Sequence, residues 1–316
     1  MTISDVSRRI LPYSFLKGVG PATLQMLVPT IVSLNDEDGL EEAKRSNRRV
    51  AAALKHRDAW VKAQDAANEQ ISQCEQHQGR ILTVADPDYP ALVTGTSVDP
   101  AILYCRGDTS ALSMPTVAII GTRKPTAIGA EVAKRVASFM GSHDFNILSG
   151  LALGCDAIAH RAALDVGVPT IAVLAHGLDT ITPRKNFNLA ESILESRGAL
   201  VSLFPFGVEP RPEYYAKRDP LQAALSRAVF LIQSSSDGGS IHAAKAALAL
   251  GRLLVIPSPV GSDLQGSDAA TDIPKLVSSG NQESIKAVFK CTLDQLSNLI
   301  VLRGKEDYGV ILTRLG

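Results

Sequence analysis

The sequence predicts an α/β fold in which a parallel sheet carries helices on both faces, behind a small helical N-terminal domain. Two observations lead there. Six short apolar runs follow one another between residues 116 and 256, and none shows the polar alternation of a half-exposed strand, so each reads as a strand buried on both faces. Helix-length segments separate these runs, which makes successive strands parallel and their crossovers right-handed.

Residues 1–78 read as helical, with alanine-rich and charged stretches at 38–47 and 50–73 and no strand alternation. Within them, Leu16 to Ala22 reads as a Gly-x-Gly turn opening a helix, a connector whose N–H groups could also face a phosphate. At Gly79 the texture changes to apolar runs bounded by Gly, Pro, Asp and Ser. The predicted strands are Thr116 to Ile120, Asn146 to Leu148, Thr170 to Leu174, Ala199 to Phe204, Ala228 to Gln233 and Leu253 to Ile256. The predicted helices between them are Ile128 to Met140, Asp156 to Val166, Asn186 to Ser196, Leu221 to Arg227 and Ser240 to Leu250. This is a Rossmann-like pattern over 79–283, and 284–316 reads as a C-terminal tail.

Composition narrows the function. The chain has 316 residues, 45% hydrophobic and 20% charged, which is ordinary globular usage. Its 32 basic and 32 acidic side chains cancel, so any polyanion site must be a local patch. No apolar run approaches the roughly 20 residues that span a bilayer, and Met1 to Arg9 lacks a signal-peptide core, which predicts a cytoplasmic protein with no membrane partner. The four cysteines form no CxxC pair, so they read as reduced thiols.

In an open α/β sheet, ligands sit at the carboxyl ends of the strands. The loops predicted there are Gly121 to Thr126, Ser149 to Gly154, His176 to Asp179 and Ser234 to Ser240. They are rich in small residues, and three run into helices whose N-terminal N–H groups favour an anion. No GxGxxG with a following acid occurs and no GxxxxGK[ST], so no cofactor is implied. Arg123 and Lys124, Lys185 with Asn186, and Lys217 with Arg218 would line a phosphate-tracking groove, each against the plainer reading of a solvated surface residue.

Signals for catalysis are poor. No histidine has a metal-ligand partner at helical or turn spacing, and His160, among alanines, reads as a structural histidine. Asp156 and Asp179 read as a helix cap and a loop brace. There is no GxSxG elbow, and Cys155 at a helix start lacks a nearby base, so it too reads as structural.

The runs Val117-Ala-Ile-Ile-Gly-Thr-Arg-Lys-Pro-Thr126, Leu148-Ser-Gly-Leu-Ala-Leu-Gly-Cys-Asp-Ala-Ile-Ala-His160, Ile171 to Asp179, Gly238-Gly-Ser-Ile-His-Ala-Ala244 and Gly251 to Pro257 resemble, in order and spacing, the DNA-processing protein A (DprA/Smf) family. Asp88 to Leu92 and Asp99 to Asp108 are similar to the segment that precedes that family's core. The resemblance implies a Rossmann-like domain that binds single-stranded DNA, forms a homodimer, hands strands to a RecA-type recombinase and catalyses nothing. It carries over, as strand and phosphate contacts, Gly121, Arg123, Lys124, Ser149, Gly150, Asn186, Gly238, Gly239 and Ser240.

The chain departs from that pattern. Lys217-Arg218-Asp219-Pro220 stands where the family has Arg-Asn-Arg, His176 replaces a glycine, His242 sits where a small residue pairs with threonine, and 266–280 lacks a Gly-x-Asn run. A specialised paralogue is therefore the alternative, an antitoxin with a cognate toxin or a nucleotide sensor in an antiphage module. A third class, phosphoribohydrolases with a Gly-Gly-x-Gly-Thr-x-x-Glu loop, lacks its carboxylate here, since Gly238 to Lys245 contains none.

Overall fold

A computed structural model describes residues 2–316. Five helices come first: α1 (Asp5–Ile10), α2 (Pro21–Ser33), α3 (Asp36–Ser46), α4 (Arg48–Ala53) and α5 (Ala59–Gln76). Two strands follow, β1 (Gly79–Thr83) and β2 (Ile102–Gly107). The alternating region then runs β3 (Thr116–Ile120), α6 (Ala127–Gly141), β4 (Asn146–Ser149), α7 (Cys155–Asp165), β5 (Thr170–Leu174), α8 (Phe187–Glu195), β6 (Ala199–Ser202), α9 (Pro212–Ala224), β7 (Ala228–Leu231), α10 (Ile241–Ala249) and β8 (Leu253–Pro257). The chain closes with α11 (Ser262–Gln265), α12 (Asp272–Ser278), α13 (Gln282–Phe289), α14 (Leu293–Leu296), β9 (Leu299–Leu302) and α15 (Asp307–Leu315).

All nine strands form one sheet in the order β1-β2-β6-β5-β4-β3-β7-β8-β9. From β6 to β9 every pairing is parallel, while β1 and β2 add an antiparallel edge. The six predicted strands are the six central parallel ones. Their two-sided burial is visible residue by residue: Ala118 and Ile120 join a core with α9, α10 and α12, whereas Val117 and Ile119 join one with α6, α7 and α15. Adjacent residues of a strand point to opposite faces, so a strand between two helical layers must be apolar at every position.

Three strands lie beyond the six expected ones. β1 and β2 precede the alternating pattern, and β9 is a strand-like stretch within the expected tail. Leu299 to Leu302 instead pairs in parallel with Leu254 to Pro257, so residues 284–316 extend the sheet. The N-terminal helices likewise share a core with the sheet's antiparallel edge, where Ile10, Leu11 and Ile71 cluster with Ile81, Ile102 and Tyr104. The change of texture at Gly79 thus marks the start of β1 within a continuous apolar interior.

One feature of strand order places the site. The chain lays β4, β5 and β6 successively on one side of β3, then returns to set β7 on its other side. The loops leaving β3 and β7 therefore diverge to opposite faces and leave a crevice between them, the topological switch point of an open α/β sheet.

Candidate nucleic-acid interface

The loop after β3 is pinned in place by the extension of β7. Thr122 N–H donates to the Gln233 carbonyl at 2.8 Å, and Thr126 N–H donates to Gln233 Oε1 at 3.0 Å. Thr126 then caps α6 by accepting the Gly129 N–H on its hydroxyl at 2.9 Å. The loop before α7 closes against the same segment. Gly154 has φ of +79°, and a Cβ there would lie 2.5 Å from the Thr122 carbonyl oxygen, so only glycine permits this approach.

Between these loops and the one after β7 lies a cleft of about 380 Å³. Arg123 and Lys124 stand exposed on one rim. On the other, Gly238, Gly239 and Ser240 lead into α10, and the N–H groups of Gly239 and Ser240 meet no acceptor among the described residues. A wall is formed by Tyr215 of α9, with the Arg123 guanidinium 5.3 Å from its ring centre. The rims thus offer fixed positive charge, free backbone donors at a helix start and an aromatic face, the equipment for a phosphate and a base.

The floor is ionic and buried. Arg218 Nε donates to Asp219 Oδ1 at 3.0 Å, and Nη1 donates to the carbonyls of Gly150, at 3.1 Å, and of Val173. Asp156 Oδ2 accepts the N–H groups of Gly150 at 3.1 Å and Ala152 at 3.3 Å. Burial pushes both Asp156 and Asp219 above the usual carboxylate range, and the nearby Arg218 opposes this. Gln222, one turn on from Asp219 and 3% exposed, donates its Nε2 to Asp219 Oδ1 at 3.2 Å.

Several sequence-predicted contacts take other roles. Ser149 is fully buried and donates to the Ile119 carbonyl at 2.6 Å. Gly150 is enclosed beneath Arg218, whose Nη1 would lie 2.3 Å from a Cβ there. Asn186, 1% exposed, donates to the carbonyls of Leu151 and Ala152. These three brace the loop after β4 and do not face a passing strand. Arg218 lines the cleft but is only 4% exposed, and its Nε and Nη1 are engaged by Asp219 and by two backbone carbonyls, so it acts as a structural cation. Lys185 and Lys217 are exposed outside the cleft lining, Lys217 sitting 5.5 Å from the ring centre of Tyr214.

Tyr215 lies before the predicted fourth helix, which starts at Leu221, and Gln222, inside that helix, carries no local signal of a ligand contact. The helix runs through Pro220 from Pro212, and proline at the first helical position was the available start signal. Asp179 is the expected loop brace, its Oδ1 accepting the Gly207 N–H at 2.7 Å. Asp156 is not the expected helix cap: Gly154 occupies the N-cap position of α7, and the Asp156 carboxylate instead holds the preceding loop through the N–H groups of Gly150 and Ala152. The structural readings of Cys155 and His160 agree with their burial. Cys155 is fully buried, its thiol pushed up to about 12 mainly by burial, which makes it inert. His160 and His176 are buried too, each with one ring nitrogen bonded and Nε2 without a partner. No cluster of three or more His, Cys, Asp or Glu able to hold a metal occurs among the described residues, and none of their helices is long and apolar enough to cross a membrane.

Known proteins resemble this chain in sequence and in fold. Protein Smf of Escherichia coli (strain K12) is 34% identical over 189 residues, which is 60% of this chain and 50% of that protein. The chain spans between 50% and 62% of the length of the first curated relatives it matches. DNA processing protein A of Streptococcus pneumoniae has the same fold across 98% of both chains, with a TM-score of 0.71 at 22% identity. The protein of that name from Helicobacter pylori, whose structure concerns its single-stranded DNA binding mode, covers 66% of this chain and 96% of its own, with a TM-score of 0.55 and 28% identity. The sequence model of DNA recombination-mediator protein A matches residues 80–287, which hold the strands β1 to β8 and the helices that build the cleft, and the chain belongs to that family.

Proposed function

We propose that this protein binds single-stranded DNA in the cleft between the loops after β3 and β7, and serves recombination or DNA uptake by holding the strand without chemically changing it. The observation that carries this reading is the pairing of two unbonded N–H groups, at Gly239 and Ser240, with Arg123 and Lys124 across one crevice. Each group suits a phosphate oxygen, and neither has an internal partner to release. Tyr215 supplies a ring on which a base stacks. The single-stranded DNA binding of the Helicobacter pylori relative supports the same ligand here. Association into a homodimer and delivery of the strand to a RecA-type recombinase follow the family resemblance.

Catalysis has little to work with. The buried carboxylates Asp156 and Asp219 are engaged by backbone N–H groups and by Arg218, and the thiol at Cys155 is enclosed. His242, exposed in the first turn of α10, is the one imidazole beside the Gly238–Ser240 loop. Gel shifts with single-stranded DNA, double-stranded DNA and RNA at two salt concentrations test the binding reading, which predicts preference for the single strand. Loss of that preference overturns it. Incubation with nucleoside monophosphates tests the absence of turnover: release of free base that disappears in His242→Ala would show an enzyme.

A further inference from the structure

The cleft floor contains an unmet demand for a hydrogen-bond donor. Gln222 Oε1 is buried and has no donor among the described residues, although the same side chain lines the cleft. Its orientation is fixed, because Nε2 is the only one of its two polar atoms that can donate to the Asp219 carboxylate. Turning the amide over would set two acceptors against each other. A buried acceptor without a partner is unfavourable, and natural structures resolve it with a ligand group or a water.

The surroundings of that oxygen are also acceptor-rich. Asp219 uses Oδ1 for both of its contacts, to Arg218 and to Gln222. Asp156 and Asp219 together present two carboxylates to the single guanidinium of Arg218, which itself is turned toward the Gly150 and Val173 carbonyls. At 380 Å³ the cleft has room for one base behind a phosphate held at its rims.

Building on the DNA-binding reading, we propose that the floor formed by Gln222 and Asp219 selects a base carrying an exocyclic amine over thymine or uracil. Adenine, cytosine and guanine each bring an N–H₂ group that would satisfy Gln222 Oε1. Such an amine has a second N–H left for the Asp219 carboxylate, whereas thymine and uracil have a single ring N–H flanked by two carbonyl oxygens: with that N–H on Gln222 Oε1, a carbonyl oxygen faces the carboxylate with no further donor to offer it. The preference is thus set by what the floor rejects as much as by what it accepts.

Fluorescence anisotropy on the intact protein, comparing oligo-dT with oligo-dC and with dT tracts carrying interspersed dA, tests the proposal at one salt concentration. The amine-bearing strands are expected to bind about tenfold more tightly, the effect of one well-made base contact. Gln222→Leu, or the same-length Gln222→Met, is expected to bring the amine-bearing strands to the level that the same variant shows for oligo-dT. Equal affinity of the wild type for all strands overturns the proposal and leaves the DNA-binding reading intact, since backbone contacts alone then account for affinity. A preference that survives both substitutions also overturns it. Failure of every strand to bind removes the DNA-binding reading itself.

Discussion

Arg218 and Asp219, neighbours on α9, form an ion pair of 3.0 Å with side chains only 5% and 9% exposed. Most ion pairs of this molecule lie on the surface, where they add little. This one lies under the cleft and ties α9 to the loops after β4 and β5 through the carbonyls of Gly150 and Val173.

Arg218→Ala should therefore act on the fold. It leaves a buried carboxylate and two carbonyls without their donor, and is expected to lower stability by about 3–5 kcal/mol. Urea denaturation checks this. A loss below about 1 kcal/mol would mean that solvent reaches Asp219 freely and that the floor is not closed.

Exchanging Arg123 and Lys124 together for alanine should do the reverse. Both side chains are exposed and form no ion pair in the structure, so stability is expected to change by less than about 0.5 kcal/mol. Binding to single strands should weaken, and the log–log salt slope should flatten by about 0.7 for each lost phosphate contact. An unchanged slope in the folded variant would remove both residues from the interface.

Two glycines separate fold from ligand approach. At Gly154 the φ of +79° and the Thr122 carbonyl 2.5 Å from a Cβ make Gly154→Ala destabilising by at least about 1 kcal/mol. At Gly239 a Cβ would meet nothing within 4 Å and φ is not positive, so Gly239→Val should keep the fold. Its branched side chain would instead stand between the free N–H groups and a phosphate. Thermal melts and anisotropy on the two variants should give opposite patterns, and normal DNA affinity in Gly239→Val would place the strand elsewhere.

The acid limit of stability should report His160. Burial, with smaller effects from Arg161 and Arg218, lowers its pKa from 6.5 to about 3. Above pH 6.5 the imidazole is neutral in both folded and unfolded chains and contributes no pH dependence. As pH falls below 6.5 the unfolded chain takes up a proton that the folded one refuses, which lowers stability by about 1.4 kcal/mol per pH unit until about pH 3. His160→Leu leaves the Thr170 hydroxyl bonded to the Ile147 carbonyl and should shed this slope. Between pH 6.5 and 5 the wild type should lose about 2 kcal/mol more than the variant in urea titrations, and parallel curves would show His160 protonated in the fold.

What the sequence determined by itself is whatever depends on neighbours along the chain. Runs such as Thr116 to Ile120 and Thr170 to Leu174 are apolar at every position, so two-sided burial and a parallel sheet were legible before any strand was placed. The Gly-rich loops were legible for the same reason, because their small residues sit next to a strand end and a helix start. Tertiary structure alone decided which of those loops meet. Thr122 and Gln233 are 111 residues apart, yet their loops touch because β7 returns to the far side of β3. It also decided which cations are free. Lys217 and Arg218 are adjacent and alike in sequence, but on a helix consecutive residues point about 100° apart, so one faces water and the other the floor. The same packing carries α9 through Pro220 and recruits Leu299 to Leu302 to the sheet: burial against distant elements outweighs the local signal at both places.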